Sequence, residues 1–334
     1  MEGTVFNDTS GLPMVSDFAG AVLAGDRRAS ARLITRIEAG DVTAIPIVQA
    51  LYRCGKGAHV IGISGPPGAG KSTLVDHLIA RYRAASRRVG ILAVDPSSPF
   101  SGGAILGDRV RFTRHNTDDG VFIRSMAARG LLGGLARAAA DALVVLDAMG
   151  FDVIMVETVG VGQNEIDIAR FADSVLLVLT PSSGDGVQAV KSGILEIGDV
   201  FAVNKADAPG ADRYCASLRE AIDFRHHSDA PGSWAPAVLK AQATANVGID
   251  ELVGELDRHH LHLREQPGAL QKRRHDRALR RILDIVNDEV WARDRNGRAS
   301  QGAFEDVLEA CLGRVLERSS DPYAAAQTLI ERFL

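Results

Sequence analysis

At 334 residues, with 46% hydrophobic and 24% charged side chains, the chain has material for one large globular domain and smaller additions. A net charge of −4 argues against a nucleic-acid or membrane-surface partner, and no apolar run reaches the roughly 18–20 residues of a membrane span. The three scattered cysteines, Cys54, Cys215 and Cys311, fit buried thiols of a reducing cytosol better than disulfides or a metal site. The polar start, Met1 to Ser10, has no signal-peptide pattern, so the expected location is the cytoplasm.

In chain order, residues 1–14 read as an irregular tail. From 15 to 51 apolar residues recur at helical spacing, with Arg27, Arg28, Arg32 and Arg36 expected on the solvated face. Residues 1–56 therefore form a helical extension in this reading. The block 57–262 alternates strand-like runs (60–64, 90–94, 121–124, 153–156, 174–179, 200–203 and 237–239) with helical segments. That alternation predicts an α/β fold, a mainly parallel sheet with helices on both faces, with ligands at the carboxyl ends of the strands. In the remainder, 263–334, a charge run (271–277) precedes amphipathic stretches at 278–291 and 303–334. These predict helices that pack back on the domain or against a second copy of the chain.

The strongest local signal is Gly65-Pro66-Pro67-Gly68-Ala69-Gly70-Lys71-Ser72-Thr73, a full match to G-x-x-x-x-G-K-[ST] between a strand and a helix. In such a loop the backbone N–H groups and the helix N-terminus cradle phosphate. Lys71 would reach the β- and γ-phosphates and Ser72 would bind Mg²⁺. A second strand ends in Glu157-Thr158-Val159-Gly160, an acid for the Mg²⁺ water shell followed by a turn whose Gly160 N–H meets the γ-phosphate. Asn204-Lys205-Ala206-Asp207 then follows a third strand. In N-K-x-D the Asp207 carboxylate accepts from the guanine ring N–H and exocyclic amine, Asn204 supports the loop and the Lys205 stem lies along the base, which selects GTP over ATP.

Between these, residues 95–109 make a Pro-, Ser- and Gly-rich loop that metal or γ-phosphate could order. Asp95 and Asp108 are Mg²⁺ or water-positioning carboxylates there, or turn formers. The place where small GTPases carry a water-positioning glutamine holds Val161, with Gln163 two residues on, so hydrolysis is expected to be slow without a partner. His226, His227, His259, His260 and His262 lack accompanying ligands at coordinating spacing and are expected to be solvated rather than to bind metal.

The order G-P-P-G-A-G-K-S-T, V-D-P-S-S-P-F-S-G-G-A-I-L-G-D-R, E-T-V-G-V-G-Q-N-E and V-N-K-A-D resembles the MeaB/ArgK/MMAA family over roughly residues 20–330. These are G3E-type P-loop GTPases, chaperones of adenosylcobalamin-dependent acyl-CoA mutases. The resemblance implies GTP/GDP and Mg²⁺ as ligands, a homodimer formed through the C-terminal helices and a mutase as partner. It implies phosphate and base contacts from Gly65, Gly68, Ala69, Gly70, Lys71, Ser72, Thr73, Gly160, Asn204, Lys205 and Asp207. Metal contacts would come from Ser72, Asp95, Asp108 and Glu157, and catalysis would involve Lys71, Asp108, Glu157 and Gln163. Asp185, Gln188 and Lys191 lie in what looks like the family's third switch, which couples nucleotide state to the mutase. The loop at 240–244 lacks the family's usual Ser-Ala. The alternative is a small-molecule kinase of the arginine/ornithine transport type, which the guanine motif disfavours.

Overall fold

The computed structural model describes residues 12–96, 112–128, 134–158, 168–181, 194–226, 233–293 and 301–333. Seven strands, β1 (His59–Ser64), β2 (Val89–Pro96), β3 (Val121–Ala128), β4 (Val153–Thr158), β5 (Ser174–Leu179), β6 (Val200–Val203) and β7 (Ala237–Lys240), form one sheet. Their spatial order is β3-β2-β4-β1-β5-β6-β7, and every pairing is parallel. Each strand overlaps a sequence-predicted one.

A parallel sheet needs cover on both faces, so its strands are apolar throughout rather than alternating. β1 and β5 are buried along their whole length. On one face Ile61, Ile63, Met155 and Leu176 pack against α4 (Lys71–Ala84) and α7 (Ile249–Glu265). On the other, Val60, Ile154, Val156 and Val175 join a core with α1 (Leu12–Leu23), α2 (Arg27–Glu38), α3 (Ile45–Tyr52) and α5 (Gly134–Ala148). A smaller core seats α6 (Ala211–His226) on β6 and β7 through Cys215, Leu218 and Ile222. Each such buried aliphatic side chain contributes about 1.5–3 kcal/mol.

The C-terminal helices α8 (Ala269–Arg293), α9 (Gln301–Leu316) and α10 (Pro322–Phe333) return to the domain: Ile282, Leu312, Val315 and Leu329 are buried in the core shared with α1–α3 and α5. The stretch 303–334 is broken at Asp321, whose carboxylate accepts from Tyr323 and Ala324 N–H at 2.9 and 3.0 Å and so caps α10. At the other terminus α1 starts at Leu12, inside the expected irregular tail, because Pro13 is tolerated in a first helical turn. α2 is capped by Asp26, which accepts from Arg28 and Ala29 N–H, and it buries Ala29, Leu33, Ile34 and Ile37 as one stripe. Its Arg28 and Arg32 are exposed as expected, while Arg27 and Arg36 are half-buried.

Two expectations need correction. Cys54 is exposed and only Cys215 and Cys311 are buried, because Cys54 follows the last turn of α3 rather than its apolar stripe. The histidines of α7 are not solvated. His259 is fully buried and His260 half-buried, since the face of α7 that carries them lies against the sheet. The charge run 271–277 lies on α8, and two of its arginines bond back to the sheet edge. Among the described residues no helix is long and apolar enough to cross a membrane.

Candidate nucleotide site

The described motif residues converge at the carboxyl edge of the sheet. The phosphate loop leaves β1 at Ser64 and enters α4 at Lys71. Gly65 turns with φ of 140°, and a Cβ there would sit 2.0 Å from the Val178 carbonyl oxygen, so no side chain fits. Gly70 caps α4 in the left-handed conformation, with room for a Cβ denied by the Asn204 amide at 2.4 Å. Lys71 is buried, and its Nζ donates to the carbonyls of Gly65 at 2.7 Å and Pro66 at 3.0 Å, which holds the ammonium over the loop. Pro67, Gly68 and Thr73 are exposed and Ala69 is buried. The start of a 14-residue helix, a glycine turn and an ammonium together favour an anion at this place.

β4 runs beside β1 with Ile63 opposite Glu157, which sets the acid next to the start of the loop. Glu157 is buried, and its Oε1 accepts from the Ser72 hydroxyl at 2.6 Å. β2 is the next strand, pairing Val94 with Thr158, so Asp95 falls one residue beyond on the same edge. A hydroxyl and a carboxylate in contact are hard oxygen donors of the kind Mg²⁺ takes alongside phosphate and water.

Asn204 follows β6 and is buried. Its Nδ2 donates to the Ala69 carbonyl at 2.8 Å, and its Oδ1 accepts from Ala243 N–H at 3.0 Å. One amide therefore joins the phosphate loop to the loop after β7. Lys205 turns the chain with φ of 56°, and Ala206 N–H donates to the Ala241 carbonyl at 3.0 Å. Lys205 and Asp207 are exposed at the end of that turn, open to a planar ligand. The loop at 240–246 engages Asn204 through a backbone N–H, which any residue supplies. This accounts for a site without Ser-Ala there. No side-chain signal in the sequence marks Ala243 as part of the site.

Asp108, Gly160, Val161, Gln163, Asp185, Gln188 and Lys191, and with them most of the segment 95–109, lie outside the described residues, as does His227. Among the described residues no group of three or more His, Cys, Asp or Glu side chains is placed to hold a metal ion.

At the opposite edge of the sheet, sequence reading misses a buried polar chain. His59 Nε2 and His259 Nδ1 each lie 2.7 Å from the Ser174 hydroxyl, and His59 stacks on His260 at 4.1 Å. Burial pushes the His259 ring down to about 4, more than the nearby Asp199 carboxylate raises it, and burial likewise holds His59 and His260 below the usual imidazole range. The His259 ring is neutral at pH 7, and it and His59 bond to Ser174 while His260 packs by stacking.

The chain matches the sequence model of the family described as "Methylmalonyl Co-A mutase-associated GTPase MeaB" over residues 30–299. It is 46% identical to a protein of Pyrococcus abyssi named as a GTPase, over 96% of this chain and 97% of that one. It is 32% identical to the mouse "Methylmalonic aciduria type A homolog, mitochondrial", over 82% of this chain and 65% of that one. A solved structure titled "Crystal structure of LAO/AO transport system kinase" shares the fold with a TM-score of 0.68 at 23% identity, covering 98% of this chain and 99% of that chain.

Proposed function

The chain belongs to the MeaB family of P-loop GTPases, and on that footing we propose that it binds and hydrolyses GTP to gate adenosylcobalamin loading onto an acyl-CoA mutase, which it also protects. The mutase would be methylmalonyl-CoA mutase or a close relative such as 2-hydroxyisobutyryl-CoA or isobutyryl-CoA mutase. The observation that carries the nucleotide part is the single edge shared by the Lys71 ammonium, the Ser72–Glu157 contact and the Asn204 bridge. The client rests on the family's description and on the name of the mouse relative.

In this reading the loop N–H groups from Gly65 to Thr73 and the Lys71 ammonium hold the β- and γ-phosphates. Ser72 and Glu157, with Asp95 and Asp108, would hold Mg²⁺, which when bound supplies charge neutralisation on the phosphate oxygens. Asp207 accepts the two guanine N–H groups, and Asn204 keeps the base loop and phosphate loop in register. Gly160 would meet the γ-phosphate and Gln163 would orient the attacking water, with Asp185, Gln188 and Lys191 relaying nucleotide state to the mutase. A homodimer and a helical, a GTPase and a C-terminal region at 1–56, 57–262 and 263–334 belong to the same proposal.

The test is hydrolysis by the purified protein, alone and with each candidate adenosylcobalamin mutase, with ATP as control. The proposal expects a slow, GTP-only rate that one mutase raises many-fold. Equal use of ATP, or phosphate transfer to a small molecule, would replace it with the kinase alternative. A fast rate in isolation would remove the role given to the partner.

A further inference from the structure

A cavity of about 190 Å³ lies at the amino edge of the sheet, beside Ala58 and Val60 and thus at the end of β1 away from the phosphate loop. With a rise of about 3.3 Å per residue, the six residues of β1 set the two places roughly 20 Å apart. The walls come from α3, α5, the turn before β5 and α8–α10. Leu143, Val144 and Phe171 give the cavity apolar surface, and its six arginines outnumber its four aspartates together with Asp173, the partner of Arg277 just outside it, by one positive charge.

Most of that charge is already committed. Arg277 donates to the Phe171 carbonyl at 2.6 Å and to Asp173 at 3.0 Å. Arg281 is bonded to Asp141 and the Tyr323 hydroxyl, and Arg318 to the Gly55 carbonyl, while Asp321 caps α10. Arg274 and Arg280 differ: neither makes a hydrogen bond or ion pair among the described residues, and Arg274 is half-buried. A guanidinium drawn partly out of water without an acceptor has lost hydration that a planar anion would restore through paired, charge-assisted N–H donors. The volume falls below the roughly 300–1,000 Å³ of drug-sized pockets, so the ligand must be small.

We propose that this cavity binds a small organic anion, a carboxylate or phosphate carried on a short apolar body, with Arg274 and Arg280 recognising the charge. The site is independent of the nucleotide reading, since it uses none of the residues at the carboxyl edge.

Titration calorimetry on the full chain saturated with GDP and Mg²⁺ tests it, with butyrate and inorganic phosphate as probes and butylamine as the cationic counterpart. Saturable binding of either anion with a Kd below about 1 mM, and none of butylamine, is expected. Binding of butyrate alone identifies a carboxylate ligand, and binding of phosphate alone identifies a phosphate ligand. The Arg274→Gln/Arg280→Gln variant should bind at least tenfold more weakly at an unchanged melting temperature. Arg280→Gln alone, at an exposed position, gives the same readout if the double variant fails to fold. Binding of neither anion, equal binding of butylamine, or an affinity unchanged in the variants overturns the proposal; the last result would place phosphate on the nucleotide loop.

Discussion

Asn204 donates to the Ala69 carbonyl and accepts from Ala243 N–H, both in the buried interior, so a single side chain sets the distance between phosphate loop and base loop. Asn204→Ala leaves both backbone groups unpaired, at a cost of about 1–3 kcal/mol. We expect lower stability together with weaker guanine-nucleotide binding, read by denaturant unfolding and nucleotide titration; a stable variant with full affinity would dismiss the bridge as incidental. Asp207 makes a sharper test of base choice. An Asn in its place offers a donor where guanine also offers one, but where xanthine offers an oxygen. Asp207→Asn should therefore lose GTP affinity at least tenfold and gain affinity for XTP, and equal losses for both would refute the assignment. At this scale the sequence displays the side chains of the nucleotide motifs: Lys71, Ser72, Glu157 and Asn204 stand in recognisable strings. Ala69 and Ala243 act through backbone atoms, and no residue type announces that.

The strands were legible because a parallel sheet covered on both faces demands near-continuous apolar runs, and β5 and β6 follow theirs to the residue. The polar stitches between elements were not. His59 comes from β1, Ser174 from β5 and His259 from α7, and their meeting depends on a strand pairing that brings Ile61 opposite Ser174. Their titration gives a signed prediction. Burial lowers the folded pKa of His259 to about 4, against roughly 6.5 in the unfolded chain, so the unfolded state binds more protons between those values. Stability is then fully present above about pH 6.5 and falls as pH drops through the window toward 4. His59 and His260, also lowered, add to the same trend. Urea unfolding at pH 7 and 5.5 should differ by about 1 kcal/mol or more from His259 alone, with the higher stability at pH 7. Equal stability at the two values would mean that the rings titrate freely.

Across the whole molecule, α8 fastens the C-terminal helices to the sheet. Arg273, Arg277 and Arg281 are spaced four apart, so they share one face of the helix, and they reach Asp199, Asp173 and Asp141. The arginines were visible as charge, but their partners lie 74 to 140 residues away in the sequence and only the fold identifies them. Asp173 is the most exacting of them. Burial drives its carboxyl upward, but Arg277 and the Val60 N–H outweigh that and hold it below the usual range. Arg277→Ala strands a buried carboxylate and should destabilise the protein by about 3–5 kcal/mol, seen as a lower urea midpoint. A shift under about 1 kcal/mol would show the pair to be ornamental.

On the proposed function the protein is a nucleotide-controlled partner of a mutase, and coupling of that kind is reciprocal in binding: if the mutase changes the relative affinity for GTP and GDP, nucleotide state must change mutase affinity by the same factor. The most direct measurement is the dissociation constant of the purified mutase for this protein loaded with a non-hydrolysable GTP analogue and with GDP. A difference of tenfold or more is predicted, within the 5–150-fold range typical of such coupling. Equal affinities in the two states, or no complex in either, would contradict the central claim.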